Sequence, residues 1–477
     1  MINYKDTPKL LIKKPLLFII ISVISGNITY LISRNSYIGV IVFITSIIFC
    51  AFILIEKNFR GMLLVFFLFS FVSCLFYYSI YENKASIYTV RIDSIKKNEV
   101  VGNFRGRKIY INNIDSNIKT GEILTFKGKF KKSIDVKSGI VGHLFVKDQI
   151  KIKKGYKYYI NRFSEEYFCY IKTSLGENKS AFLTALVFGN KDFLSYSQKN
   201  NLSNLGVIHL ICVSGFHISL LFMCINKFLN TKFSLIICLF YIISIGCPIS
   251  AVRAYIMIFL MILSKKISRN YDSISALCLS AIILIIYKPY ILYESGFILS
   301  YLATIGIVLF AKIFTKAFYI LPNYINKFLS LTLAAQVFIY PYMVLKFNSF
   351  SMNFLLAGFL LAPIISIMLP LGFLTIISWL TIKSMSFLYI PINILFVVLN
   401  GILIFLSKVS LESVYIHSAY AVFYMMMFIC IYMSYSGFKK FNIVFYSMIP
   451  LVILFSFYLK ITMLLYVLAK YLNKFIL

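Results

Sequence analysis

Apolar stretches without a charged side chain recur from one end of this chain to the other. They occupy residues 16–33, 38–55 and 62–80, and then return repeatedly between 207 and 459. Most reach about 18 residues, enough for a helix to cross roughly 30 Å of hydrocarbon. Sixty per cent of the 477 residues are hydrophobic and only 13% are charged, where a soluble domain carries about 25% charge. A water-soluble enzyme is excluded. The expected fold class is a polytopic α-helical membrane protein with about 13 transmembrane helices. Three of them form an anchor over 1–81, and the rest a second membrane domain over 207–460. The first run follows Lys5, Lys9, Lys13 and Lys14, as in a secretory leader, but no small-x-small cleavage site comes after it. It reads as a retained anchor.

Residues 82–166 break the pattern. These 85 residues hold 19 Lys or Arg against 9 Asp or Glu, a balance of +10. Short alternating stretches run over Tyr88–Ile95, Arg107–Asn112, Glu122–Phe130 and Gly142–Lys147, with Lys151–Lys153 as a fifth. Glycines at 102, 106, 121, 128, 139 and 142 punctuate them, as turns and bulges between strands require. Five short strands fit a small extracellular β-barrel of the OB type inserted after the third helix. An SH3-like barrel or a meander fits the pattern equally well. Residues 167–206 read as an amphipathic, interfacial connection. The tail at 461–477, with Lys470 and Lys474, reads as amphipathic or membrane-associated.

The whole chain has 48 Lys or Arg against 16 Asp or Glu, a net charge of +32. That excess suits phosphate-rich partners, either lipid head groups or nucleic acid. Biased codon usage combined with positive-inside topology accounts for it as well. With the N-terminus in the cytoplasm, alternate short loops hold seventeen basic residues, Lys57, Lys227, Lys265 and Arg269 among them. The opposite loops hold five, namely Arg34, Lys288, Lys346, Lys408 and Lys460. This places the chain in the cytoplasmic membrane with its N-terminus inside and residues 82–166 outside.

Most enzymatic signatures are missing. There is no GxxxxGK[ST] phosphate loop, no HExxH and no Gly-x-Ser-x-Gly elbow, and none of the nine cysteines forms a CxxC pair. No catalytic residue, cofactor or metal is therefore expected. The stretch Leu205-Gly-Val-Ile-His-Leu-Ile-Cys-Val-Ser-Gly-Phe-His-Ile218 stands out. On one helix His209 and His217 would lie on neighbouring faces, with Ser214 and Gly215 between them permitting close contact or a break. Ionisable groups at membrane depth face a cavity or a partner, and satisfied structural histidines would look the same. Arg253 and Glu294 fall near helix ends on the same expected side, where an ion pair would lower the desolvation cost of each. Gln336, Tyr340 and Pro341 make another polar, helix-disturbing patch. On the external domain, Arg105, Arg107, Lys108, Lys127, Lys129, Lys131 and Lys132 are the candidate phosphate contacts.

The Gly-x-x-His-Leu-x-x-x-Ser-Gly-x-His run resembles the signature of the ComEC competence-protein family. Ala185-Leu-Val-Phe-Gly-Asn-Lys191, Val252–Met257, Gly296–Ser300, Ala335–Pro341 and Phe347–Ser351 are similar to that family's segments, in order. The likeness covers about residues 165–440, and the external domain resembles the family's OB-like region. It departs at Asn190, Leu205 and Gly358, where the family's usual Asp, Thr and Asn are replaced. What the resemblance implies is a channel over 207–460 that admits single-stranded DNA during natural transformation. His209, Ser214, Gly215, His217, Arg253, Glu294, Gln336, Tyr340 and Pro341 would be its signature positions. Implied partners are single-stranded DNA, a DNA receptor, cytoplasmic motor or DNA-handling proteins, and a separate nuclease. Many relatives carry a metallo-β-lactamase-like nuclease domain, and no HxHxDH motif occurs here. The residues alone leave open a permease or exporter for another anionic solute, or a membrane enzyme using His209 or His217.

Overall fold

The computed structural model describes residues 14–35, 44, 57–79, 86–96, 99–113, 118–136, 138–347, 349–350, 353–381, 386–409, 414–415, 418–437, 443–447 and 450. Among them, seven helical stretches are long and apolar enough to cross a membrane, one of them, Ile208–Asn226, interrupted part-way; the thirteen expected are not confirmed. The physical reason is length. The runs near 233–247 and 274–288 form helices of only 14 and 15 residues, roughly 21–23 Å at 1.5 Å per residue. The helix at Ile249–Lys266 carries Arg253, Lys265 and Lys266, which shorten its uncharged stretch. The expected runs at 38–55 and 441–459 and the tail at 461–477 lie wholly or largely outside the described residues.

The chain divides into two compact units. The first comprises 1–199, 208–298 and 361–402; the second comprises 200–207, 299–360 and 403–477. In the first unit, α1 (Pro15–Asn35) and α2 (Lys57–Tyr78) pack side by side. Ser22 Oγ donates to the Leu63 carbonyl at 2.6 Å and Ser70 Oγ to that of Val23 at 2.7 Å. Tyr30 stacks on Tyr78 with centroids 5.5 Å apart, so the two helices run in the same direction.

The barrel follows. Its strands are β1 (Ser86–Lys96), β2 (Glu99–Phe104), β3 (Arg107–Asn112), β4 (Glu122–Asp135) and β5 (Ile140–Lys154). They close in the order β1-β2-β3-β5-β4, with β3 and β5 parallel and the other pairs antiparallel. The count of five is as expected, but the partition differs. The stretch Lys151–Lys153 belongs to a single long β5, and β2 went unread because Gly102 and Asn103 dilute its alternation. A two-residue turn joins β2 to β3. Arg105 and Gly106 both have positive φ there, 50° and 83°, as a type I′ hairpin demands. Tyr88, Val90, Ile92, Ile109, Ile111, Leu124, Phe126, Phe130 and Leu144 fill the interior. Their odd-even alternation leaves the intervening side chains outside.

The barrel docks on the helix ends through tyrosines. Tyr77 Oη donates to the Gly139 carbonyl at 2.9 Å and accepts the Lys108 backbone N–H at 3.1 Å. Lys108 Nζ meets Glu294 Oε1 at 2.7 Å and lies 4.2 Å from the Tyr290 ring centroid. Arg107 donates to the Phe76 carbonyl in the last turn of α2, a favoured place for a cation. Gly139 has φ +75°, and a Cβ there would sit 2.4 Å from the Tyr290 ring. Only glycine fits.

After the barrel come α3 (Tyr156–Leu175), α4 (Glu177–Phe188) and α5 (Tyr196–Asn204). Then follow α6 (Ile208–Ile211), α7 (Gly215–Asn226), α8 (Thr231–Ser244), α9 (Ile249–Lys266) and α10 (Ser273–Tyr287). Asp272 caps α10 by accepting the Ser275 N–H at 3.0 Å and pairs with Lys14 at 3.3 Å. Burial opposes its carboxylate, but the Ser275 hydrogen bonds and the Lys14 charge outweigh that and hold its pKa below the ordinary value. A 3-10 turn at Pro289–Tyr293 follows α10, and Asn27 Nδ2 donates to its Pro289 carbonyl at 2.9 Å. Residue 14 and the 267–272 loop therefore share one end of the helices, and the barrel takes the other.

The remaining elements are α11 (Ser295–Ala317), α12 (Asn323–Phe347), β6 (Ser349–Phe350), α13 (Phe354–Thr381), α14 (Ser386–Val409), β7 (Val414–Tyr415) and α15 (Ser418–Tyr435). In the second unit Phe310, Ala334 and Val337 form a core with Phe428 and Tyr432.

Gly139→Ala is expected to destabilise the docked barrel by about 1–3 kcal/mol, the usual cost of a left-handed non-glycine residue. Hydrogen exchange at the β4–β5 turn of the detergent-solubilised protein should quicken while α9 and α10 stay protected.

Candidate functional site

The helix expected to carry both histidines is broken. α6 stops at Ile211 and α7 starts at Gly215, with Ser214 extended between them at φ −119°, ψ 175°. The break falls inside the apolar span Ile208–Asn226. The sequence dictates it through capping chemistry. Ser214 is the N-cap of α7, and His217, three residues on, takes the place usually held by Glu or Gln in a capping box. His217 Nδ1 accepts the Ser214 backbone N–H at 3.3 Å and lies 3.0 Å from the Ser214 hydroxyl. An accepting Nδ1 puts the proton of a neutral ring on Nε2. His217 is wholly buried, and its Nε2 has no hydrogen-bond partner among the described residues. His209 lies exposed on α6, whereas His217 is buried on α7.

Arg253 does come to the break. A Cβ on Gly215 would lie 2.9 Å from Arg253 Nη2 and 3.2 Å from Ala254 Cβ, so a larger residue would push the guanidinium away from the start of α7. Ser250 Oγ, from the first turn of α9, donates to the Val213 carbonyl at 3.0 Å and satisfies a group that the break frees. Gly189 ends α4 in the left-handed conformation, and a Cβ there would be 3.0 Å from Val213 Cγ2. Tyr241 Oη donates to the Val187 carbonyl at 2.6 Å. Segments far apart in sequence, around Val187, Val213–His217 and Ser250–Ala254, thus form one cluster. Chemically, unsatisfied N–H groups at a helix start, the helix dipole and a guanidinium together favour an anion.

Glu294 was expected opposite Arg253. Its carboxylate is held instead by Lys108, at 2.7 Å, while the Arg253 guanidinium lies against Gly215. The reason is the barrel, which presents Lys108 to the helix ends. Nearby, burial and then the charge of Lys108 hold the Lys288 ammonium below the ordinary lysine value. Gln336, Tyr340 and Pro341 belong to the second unit. Pro341 is a buried break in the hydrogen bonding of α12, Tyr340 packs on Tyr424 with centroids 4.7 Å apart, and Gln336 Oε1 is buried without a hydrogen-bond partner among the described residues.

The seven basic candidates of the barrel separate into two groups. Arg107 and Lys108 are consumed in docking and do not face solvent as free cations. Lys127, Lys129, Lys131 and Lys132 are exposed on β4, and Arg105 is exposed at the β2–β3 turn with its guanidinium 5.3 Å from the Phe104 ring. The sequence reading missed Tyr77, Tyr290 and Lys288. The available signal was their position, since tyrosines at the ends of apolar runs mark the interfacial belt.

Residues 186–441, more than half of the chain, match the family model described as Competence protein. The chain belongs to the competence protein family. Among curated relatives, it is 24% identical to ComE operon protein 3 of Bacillus subtilis (strain 168) over 219 residues, which is 44% of this chain and 28% of that protein. It is 30% identical over 146 residues to an uncharacterized protein of Aquifex aeolicus (strain VF5), 29% of this chain and 35% of that one. The chain thus spans about a third or less of each relative's length. No solved structure matches it. The cluster at the helix break lies within the competence match, whereas the barrel precedes it.

His217→Ala removes a cap partner, which costs roughly 1 kcal/mol by itself, and empties a buried site; the amount of protein in the membrane should fall. His217→Gln keeps an acceptor at the same capping position and should restore that amount, as immunoblotting of membranes will show. If the Gln variant is no better than Ala, the capping role is wrong.

Proposed function

We propose that this chain provides a path for single-stranded DNA across the cytoplasmic membrane during natural transformation. The match of residues 186–441 to the competence protein family carries the reading. The broken helix supports it. Half-helices whose N-termini point at anionic groups recur in membrane transport sites, and here the start of α7 lies beside Arg253. The barrel supports it too. Its strand order is that of the OB type, and exposed lysines follow one another along β4. A conduit indifferent to sequence needs cations and aromatic surfaces rather than base-specific hydrogen bonds.

In this reading the barrel faces outward and the Lys14–Asp272 end faces the cytoplasm. A surface receptor delivers the strand, a cytoplasmic motor or DNA-handling protein draws it in, and a separate nuclease prepares it. The chain itself conducts and does not cut.

Deleting the gene should abolish uptake of labelled DNA and transformation, and Arg253→Ala should reduce both at least tenfold while leaving the protein in the membrane. Normal uptake in the deletion strain would refute the reading. For sidedness, single cysteines replacing Lys119 and Arg269 should differ in intact cells, with only the first reached by an impermeant probe. A metal-dependent loss of DNA with purified protein, surviving contaminant controls, would overturn the claim that it does not cut.

A further inference from the structure

The outer face of the barrel carries an arrangement that docking does not use. On β3 and β5, Tyr110 and His143 are register partners, and their rings stack with centroids 5.1 Å apart at 28°. His143 and Phe145, two residues apart on β5, have centroids 6.5 Å apart at 26°. On the other side of β5, Lys131 is the register partner of His143, and Lys129 that of Phe145. Three neighbouring strands thus present two rows, Tyr110–His143–Lys131 and Asn112–Phe145–Lys129.

These side chains are outside the barrel core, which takes Ile111, Leu144 and Phe130 from the same strands. They are also displaced from the docking row. Lys108 and Ile140, partners at the helix ends, lie two to five residues earlier along β3 and β5, roughly 7–16 Å at 3.3 Å per residue. Phe145 is 36% exposed, so part of its ring is open to a ligand. Lys129 and Lys131 are exposed, and neither makes an ion pair among the described residues. They stand two residues apart, about 6.6 Å along the strand, of the order of one phosphate step in an extended single strand.

We propose that this face is a stacking site for single-stranded DNA, with Phe145 and the His143–Tyr110 pair meeting bases and Lys129 and Lys131 meeting phosphates. This rests on the reading of the chain as a DNA conduit and names the surface and contact chemistry of its outer domain. Aromatic surfaces accept any base, so the site reads no sequence. A duplex hides its base faces and can use only the lysines.

The test uses full-length protein in nanodiscs of neutral lipid, with fluorescence anisotropy at low salt. The probes are an oligothymidylate of about 15 nucleotides, an abasic phosphodiester strand of the same length, and a duplex. Wild type should bind the oligothymidylate at least fivefold more tightly than the abasic strand. Phe145→Ala and His143→Ala should each weaken oligothymidylate binding roughly fivefold or more and leave abasic binding unchanged. Lys129→Ala with Lys131→Ala should weaken all three probes and flatten the salt dependence by up to about two counterion units. Phe145→Leu, which keeps the apolar bulk, reports on folding and should melt as wild type does while binding as Phe145→Ala does. If the aromatic variants bind like wild type, or the abasic strand binds as tightly as the thymidylate, the stacking site is overturned while the DNA reading survives through the lysines. If wild type retains no strand at all, the outer domain's part in the conduit reading fails along with it.

Discussion

An ammonium group held between a carboxylate and an aromatic face joins the barrel to the membrane helices. Lys108 reaches Glu294 and covers Tyr290, while Tyr77 bonds both to the Lys108 backbone and to Gly139. The contact is partly shielded, with the two charged side chains 26% and 31% exposed, so screening removes less of it than of a surface pair. It also uses both functions of tyrosine, a ring that packs and a hydroxyl that needs a partner. Because this junction occupies Arg107 and Lys108, the candidate cations left for a ligand are Arg105 and the lysines of β4. The junction decides which face of the barrel is free.

The helix break follows a different logic, in which a capping sequence overrides an apolar one. Hydropathy alone gives a continuous span over Ile208–Asn226. Ser214 and His217 nevertheless start a new helix inside it, because the N-cap hydrogen bonds compensate groups that would otherwise be unsatisfied at depth. Gly215 then lets Arg253 approach, and because a guanidinium and a helix N-terminus are both positive, the two do not neutralise each other but together call for an anion. His217 holds Ser214 at the start of α7.

Much of this was legible from residue order. The apolar runs announced the membrane class, the alternation over 82–166 announced a five-stranded domain, and Ser214–Gly215 announced a place of close contact or a break. What was lost has physical causes. Helix length in the membrane depends on where the chain turns, and α8 and α10 turn earlier than their hydropathy implies. Strand β2 is short and interrupted by Gly102, so its period was invisible. The partner of Glu294 comes from a domain 186 residues away. No local pattern specifies such a contact, which depends on how the barrel sits on the helix ends.

The β4–β5 hairpin is the longest ribbon among the described residues, paired from Glu122–Lys154 at one end to Asp135–Ile140 at the other. Its turn is clamped by Tyr77 and Tyr290. Its open end passes through Gly155, whose N–H bonds to the Gly121 carbonyl, directly into α3. Tyr167 and Ile171 bury that helix. A beam held at both ends bends least under a load applied between them, and Lys129, Lys131, His143 and Phe145 lie in its inner part. Tension directed along the strands would pass as shear along the ladder into α3 and the 3-10 turn, rather than peeling the strands apart one hydrogen bond at a time.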